Sequence, residues 1–201
     1  NLFFTGSSNG KGGGIASSII KTNTSGWYTK FQGTLKRYGD YNAPKYVMSN
    51  TGLLEKNFSF KTGLNRIDYG FEFYYSLYNN ETGILRGSHL HSAQDLIRAI
   101  SSSEPLIIKE FTYDIDAPKQ NITHHLAKLK VFKKFDFGKI NLQYDFQSNN
   151  RLEYDIRRGS DRDKPSTDLE LLTHSISLDL ESKISNKSNL KMGIVGKYQS
   201  N

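Results

Sequence analysis

The 201-residue chain has no Cys, four Pro, 17 Gly and one Trp, and its 25 aromatic residues outnumber its six Ala. Lys and Arg total 27 against 20 Asp and Glu, a formal net charge of +7, and the mean hydropathy is −0.60. The lack of Cys excludes a disulfide framework and thiolate metal sites, and no apolar run approaches the roughly 20 residues of a transmembrane helix. Only 77 residues (38%) are apolar or Gly, below the roughly 45–50% of a typical globular domain. A large two-layer core is therefore not expected. The basic excess is scattered: its densest clusters are Lys128, Lys130, Lys133 and Lys134, and Arg157, Arg158 and Arg162. Neither forms a long Lys/Arg block, so nucleic acid is not an expected partner.

The opening Asn-Leu-Phe-Phe has no basic n-region and no apolar h-region. The expectation is a removed leader or an internal piece of something longer. Gly6-Ser-Ser-Asn-Gly-Lys11 has three residues between its glycines, and Gly12 follows the Lys. It departs from a phosphate loop on both counts and reads as a turn or loop. A weak strand follows over 14–24, the turn Ser25-Gly26, and a clearer strand with Trp27, Phe31 and Leu35 on one face. A polar stretch at 39–50 leads to a weak strand at 51–63 and the turn Asn65-Arg66.

The strongest periodicity comes next. Ile67, Tyr69, Phe71, Phe73, Tyr75 and Leu77 alternate with Asp68, Gly70, Glu72, Tyr74 and Ser76. Successive strand side chains point to opposite faces, so this is one apolar and one polar face. The segment of about 80–123 is a long loop with its own helix: Ser92 stands three residues before Asp95 in the manner of a capping box. Ala93, Leu96, Ile97 and Ile100 fall on one helical face, and Pro105 ends the run. Alternation resumes at 124–135 (Ala127, Leu129, Val131) and, after the turn Phe137-Gly138, at 140–156 (Ile140, Leu142, Tyr144, Phe146). Past the polar stretch 157–168, Leu172, Ile176, Leu178 and Leu180 form another apolar face, with His174 as its exception. The turn Asn186–Ser188 and a face of Leu190, Met192, Ile194 and Tyr198 complete eight strands.

Short turns alternate with long polar connections, so all the long loops (39–50, 80–123, 157–168) belong to one end. Outer-membrane barrels segregate their connections in this way. The runs 67–79 and 140–156 exceed the roughly 9–11 residues that cross a bilayer at a tilt. Trp27, Tyr28, Tyr38, Tyr75 and Tyr78 are expected at the interfaces. The expected fold is all-β: an antiparallel transmembrane β-barrel with one short helix in an extracellular loop. The ending Lys-Tyr198-Gln-Ser-Asn has no terminal aromatic, so 1–201 is expected to be an arc of a larger barrel.

Four blocks carry a resemblance. They are Gly39-Asp-Tyr-Asn-Ala-Pro-Lys-Tyr-Val-Met-Ser-Asn-Thr-Gly52, Asn80-Glu-Thr-Gly-Ile-Leu-Arg-Gly-Ser-His89, Phe111-Thr-Tyr-Asp-Ile-Asp-Ala-Pro-Lys-Gln120 with His124-His125-Leu126, and Glu153-Tyr-Asp-Ile-Arg-Arg-Gly159 with Asp168-Leu-Glu-Leu-Leu-Thr-His174. In this order they resemble the TonB-dependent outer-membrane receptors common in Bacteroidetes. The resemblance covers most of the chain. It implies about eight consecutive strands of a barrel of about 22, in the outer membrane of a Gram-negative bacterium. The implied activity is binding and import of a scarce nutrient, foremost a ferric siderophore or other iron chelate. A glycan or cobalamin receptor of the same family is the alternative, and a soluble β-rich adhesin or binding module is the rival from another class. Implied partners are the nutrient, outer-membrane lipid and lipopolysaccharide, and the TonB complex, reached through a plug that this sequence does not contain.

The candidate ligand-binding residues lie in the long loops. Arg86, Arg157, Arg158 and Arg162 offer guanidinium forks for the carboxylate or phosphate oxygens of a chelate. Their bland alternative is pairing with Asp155, Asp161 and Asp163, or with lipopolysaccharide phosphates. His89 and His91 join the candidate set, with His124 and His125 at the loop's end. Direct metal ligation needs three or more converging ligands, and neither Cys nor a carboxylate triad accompanies these imidazoles. No metal, cofactor or catalytic residue is expected. No nucleophile–base constellation of a known type appears, so the chain is not expected to be an enzyme.

Overall fold

The computed structural model describes residues 1–88, 92–156, 163–185 and 187–201. About two-thirds of them lie in β-strands. In chain order these are β1 (Leu2–Ser7), β2 (Gly12–Thr22), β3 (Trp27–Tyr38), β4 (Tyr41–Asn42), β5 (Val47–Met48), β6 (Leu53–Asn65), β7 (Tyr69–Gly83), β8 (Lys119–Phe135), β9 (Gly138–Tyr154), β10 (Thr167–Ser185) and β11 (Ser188–Ser200). Between β7 and β8 sit a 3₁₀ turn (Arg86–Ser88) and a helix, α1 (Ala93–Ser101). Nine strands form one antiparallel sheet in the order β1-β2-β3-β6-β7-β8-β9-β10-β11, and β4 and β5 make a separate small hairpin. Each sheet strand pairs with the next one in sequence. β1 and β11 do not pair with each other among the described residues, so the sheet has two edges.

All eight expected strands are present. β1 is a ninth, and the Gly6–Lys11 segment contains the turn that joins it to β2, with Gly10 and Lys11 at φ 76° and 41°. The first three short turns fall where expected, and Gly26 adopts φ 82° in the first; of the fourth, Asn186 lies outside the described residues. The long connection is shorter than expected, 84–118 instead of 80–123. β7 and β8 keep pairing through Asn79↔Thr123, Asn80↔Ile122, Glu81↔Asn121 and Gly83↔Lys119. The hydrogen-bonded ladder continues after the apolar alternation stops, because it is made by backbone alone. His124 and His125 therefore lie inside β8, not at the end of a loop.

Directly opposed residues share a face, so the register traces each face across the sheet. One row runs Ile19, Phe31, Phe60, Tyr75, Ala127, Phe146, His174, Tyr198; another runs Trp27, Leu64, Phe71, Val131, Leu142, Leu178, Ile194. Aromatic contacts bind these rows laterally, with ring centroids 4.9 Å apart for Phe31–Phe60 and 5.5 Å for Trp27–Phe71. The opposite face carries Tyr28, Lys61, Glu72, Ser76, Lys128, Gln143, Asp145 and Ser175. Trp27 and Tyr75 are on the apolar face as expected. Tyr28, Tyr38 and Tyr78 are on the polar face: consecutive strand residues alternate, so Trp27 and Tyr28 cannot share one side.

Burial is inverted relative to a globular sheet. Among the described residues no hydrophobic side chain is buried, and Phe31, Ile176 and Ile194 are 48%, 52% and 70% exposed. The buried sheet residues include Asn80, Asn141 and Thr173, all on the polar face. Among the described residues no helix is long and apolar enough to cross a membrane.

Candidate functional site

Three connections meet at the long-loop end and are fastened by polar side chains. Asp40, 1% exposed, accepts from the Thr51 amide at 2.9 Å through Oδ1 and from the Thr112 amide at 3.3 Å through Oδ2. Its own amide donates to the Thr112 carbonyl at 3.0 Å. Ser49, also 1% exposed, accepts from the Lys109 amide at 2.6 Å. Asn50 sits at φ 65°, a left-handed conformation that Asn tolerates better than most residues. Its amide nitrogen donates to the Ile84 and Pro118 carbonyls at 2.9 and 2.8 Å, and its Oδ1 accepts from the Asp116 amide at 2.9 Å. One side chain thus ties together both feet of the 84–118 loop. Buried polar atoms must be paired to be tolerated, and here the pairing makes a rigid crown.

The β1–β2 turn joins this crown. Tyr113 donates its hydroxyl to the Lys11 carbonyl at 2.6 Å, and the Lys11 ammonium lies 4.3 Å from the Phe111 ring centroid. Under the 111–116 segment is a cleft of about 350 Å³ lined by Arg37, Leu54, Glu81, Tyr113, Asp114, Ile115 and Asp116. Arg37 stacks over the Tyr113 ring at 5.5 Å, and Glu81 pairs with Lys119 at 2.7 Å.

α1 forms where its sequence indicates, with Ser92 as N-cap accepting from the Asp95 amide at 3.1 Å. Its apolar face is left uncovered by the described residues: Leu96, Ile97 and Ile100 are 48%, 64% and 75% exposed.

Of the candidate ligand residues, Arg86 is placed in the 3₁₀ turn. Its amide donates to the Ser49 carbonyl at 3.0 Å and its Nη1 to the Ala117 carbonyl at 2.5 Å, so the guanidinium braces the crown. His89, His91, Arg157, Arg158 and Arg162 lie outside the described residues. His124 and His125 point to opposite faces of β8. His125 Nδ1 is 2.8 Å from the Tyr75 hydroxyl on the apolar face, and a matching pair joins His174 Nδ1 to the Tyr144 hydroxyl at 2.7 Å. Among the described residues no three His, Cys, Asp or Glu converge to hold a metal ion.

The polar face has its own organisation. Lys61 pairs with Glu72 at 2.9 Å, Lys36 with Glu55 at 3.0 Å, and Lys128 approaches Asp145 at 3.8 Å. The Tyr28 hydroxyl donates to Glu72 at 2.7 Å, its ring lying across Gly63. A Cβ at Gly63 would stand 2.7 Å from that hydroxyl, so the absent side chain is what admits the ring.

Sequence patterns found α1 and the sheet faces but not the Asp40–Ser49–Asn50 fastening, whose partners lie 11 to 72 residues away in the chain. The one local sign was the Ser-Asn-Thr-Gly run at 49–52, a composition typical of turns. Compared with known proteins, the sequence matches no family model and gives no match among curated proteins.

Proposed function

We propose that the chain is an arc of an outer-membrane β-barrel that serves as a TonB-dependent receptor. It would bind a scarce nutrient at the long-loop end and pass it along the polar face, with no covalent chemistry. A ferric siderophore or other anionic iron chelate is the favoured cargo.

The observation that carries this reading is the inverted burial: an apolar face across nine strands with no core beneath it among the described residues. Exposed apolar area of this extent needs a cover, and lipid supplies one along the whole face. The dimensions agree. Tyr69 to Leu77 spans eight strand steps, about 26 Å along the strand or about 20 Å in height at a tilt of about 40°, close to the roughly 25 Å apolar band of a barrel. Polar pairs succeed the band on the same face toward the loops: Asn79–Thr123 at 3.0 Å, Lys119–Glu81 at 2.7 Å and Asn150–Asp168 at 3.0 Å. Toward the short turns Lys21 and Lys133 take over. Burial of Asn80, Asn141 and Thr173 fits a sheet curled toward its polar side, as around a wet lumen.

Protease treatment of intact cells tests the proposal. Cleavage within 84–118 but not at 23–26 or 136–137 is expected. A protein that is folded and monomeric in plain buffer without detergent would overturn it.

A further inference from the structure

The polar face holds more cations than its carboxylates can neutralise, and the register gathers them. One directly opposed row reads Lys30, Lys61, Tyr74, Lys128, Asp145 across β3, β6, β7, β8 and β9. The next row toward the short turns reads Tyr28, Gly63, Glu72, Lys130, Gln143. Lys139 stands two rows further, its ammonium reaching back to 4.6 Å from the Phe132 ring centroid. Glu72 is held by Lys61 and the Tyr28 hydroxyl, and Asp145 lies toward Lys128. Among the described residues neither Lys30 nor Lys130 forms an ion pair. Lys30 faces Lys61 directly, a like-charge opposition that disfavours the pairing, and Glu72 pairs with Lys61 alone of the two. Nearer the loops the same face is balanced, with Lys36 against Glu55 and Arg151 against Glu153.

We propose that Lys30, Lys61, Lys128 and Lys130 form a binding site for a small multivalent oxyanion bearing several carboxylates or phosphates. Neighbouring strands are about 4.8 Å apart, so the Lys30 and Lys61 backbones are one such step apart and those of Lys61 and Lys128 two. Lys30 and Lys128 are thus three steps apart, about 14 Å, and their long side chains reach inward to an anion with charged groups about 5–10 Å apart. Flexible ammonium groups suit such a ligand as mobile point charges, and the Tyr74 hydroxyl between Lys61 and Lys128 adds a neutral donor. The site rests on the polar face alone and does not depend on what covers the apolar one. It lies in the short-turn half of the sheet, away from the crown and from Arg86.

The test is calorimetric titration of the full-length protein with citrate and with tripolyphosphate at low and high salt, in nonionic detergent if the protein requires it. Saturable binding that weakens with salt is expected. K30Q and K130Q, which break no ion pair, should each weaken it by about tenfold, the share of one charge-assisted contact. K130R should restore it. K56Q, on the apolar-face side of β6, should leave it unchanged. Absence of binding, or equal losses in K56Q and K130Q, would overturn the site. Surface proteolysis reports on membrane placement and this titration does not, so either result stands without the other.

Discussion

Removing the Asp40 carboxylate should free one side of the long loop without unfolding the sheet. In Asp40→Ala the amides of Thr51 and Thr112 lose their acceptors in a site only 1% exposed. Each stranded buried donor costs about 1–3 kcal/mol. Two such donors, partly relieved by entering water, give a loss of about 3 kcal/mol in the local opening equilibrium. At about 1.4 kcal/mol per decade this is roughly a hundredfold faster exchange of those amides. Asp40→Asn keeps Oδ1 for Thr51 and loses one bond, so its effect should be about tenfold. Hydrogen exchange read by mass spectrometry over 105–118 and 48–54 measures both, with 140–150 in β9 as the internal reference. Exchange in Asp40→Ala within about twofold of the parent would refute the fastening role. So would an equal rise in β9, which would show that the loss is global.

Asn50→Ala should cost more than Asn50→Gly by about 1 kcal/mol in urea unfolding, because both lose the three side-chain bonds but only Ala is strained at φ 65°. Gly63→Val should cost about 1–3 kcal/mol because its Cβ would clash with the Phe71 carbonyl oxygen and stand 2.7 Å from the Tyr28 hydroxyl, and Tyr28→Phe, which keeps the ring, about 1 kcal/mol. Phe73→Lys on the apolar face should lower stability in lipid vesicles by about 2–4 kcal/mol, and Ser76→Lys on the polar face by less than about 1 kcal/mol. Equal costs for that last pair would contradict the assignment of the faces.

The strands were legible wherever a face had to be greasy. Tyr69 through Leu77 announces β7 because an apolar side chain is required at every second position. Above Leu77 both sides of the strand are polar, the period disappears, and the last turns of the ladder look like loop. β1 was obscured by Phe3 and Phe4, adjacent aromatics on opposite faces of a six-residue strand. α1 was legible because capping is local: Ser92 and Asp95 are three residues apart. The crown was not, since Asp40, Ser49 and Asn50 act on partners far along the chain and any turn-rich segment has such residues. The basic row is similarly hidden. Lys30 and Lys130 are 100 positions apart in sequence, and only the strand register places them on one face, three strands apart and one row offset.

The order of strands in space is the order in sequence, and this bears on how the sheet is assembled. No strand must wait for a distant partner, so each hairpin can form alone and then dock on the one before it. The costliest closure spans 84–118, where 35 residues separate paired strands; fastening that segment to 39–52 shortens the gap the chain must bridge. At every stage the growing sheet ends in a row of unpaired amides and carbonyls that serves as template for the next strand and as an invitation to the wrong one. Assembly of this chain is therefore a race between its own next hairpin and any foreign strand that reaches the edge first.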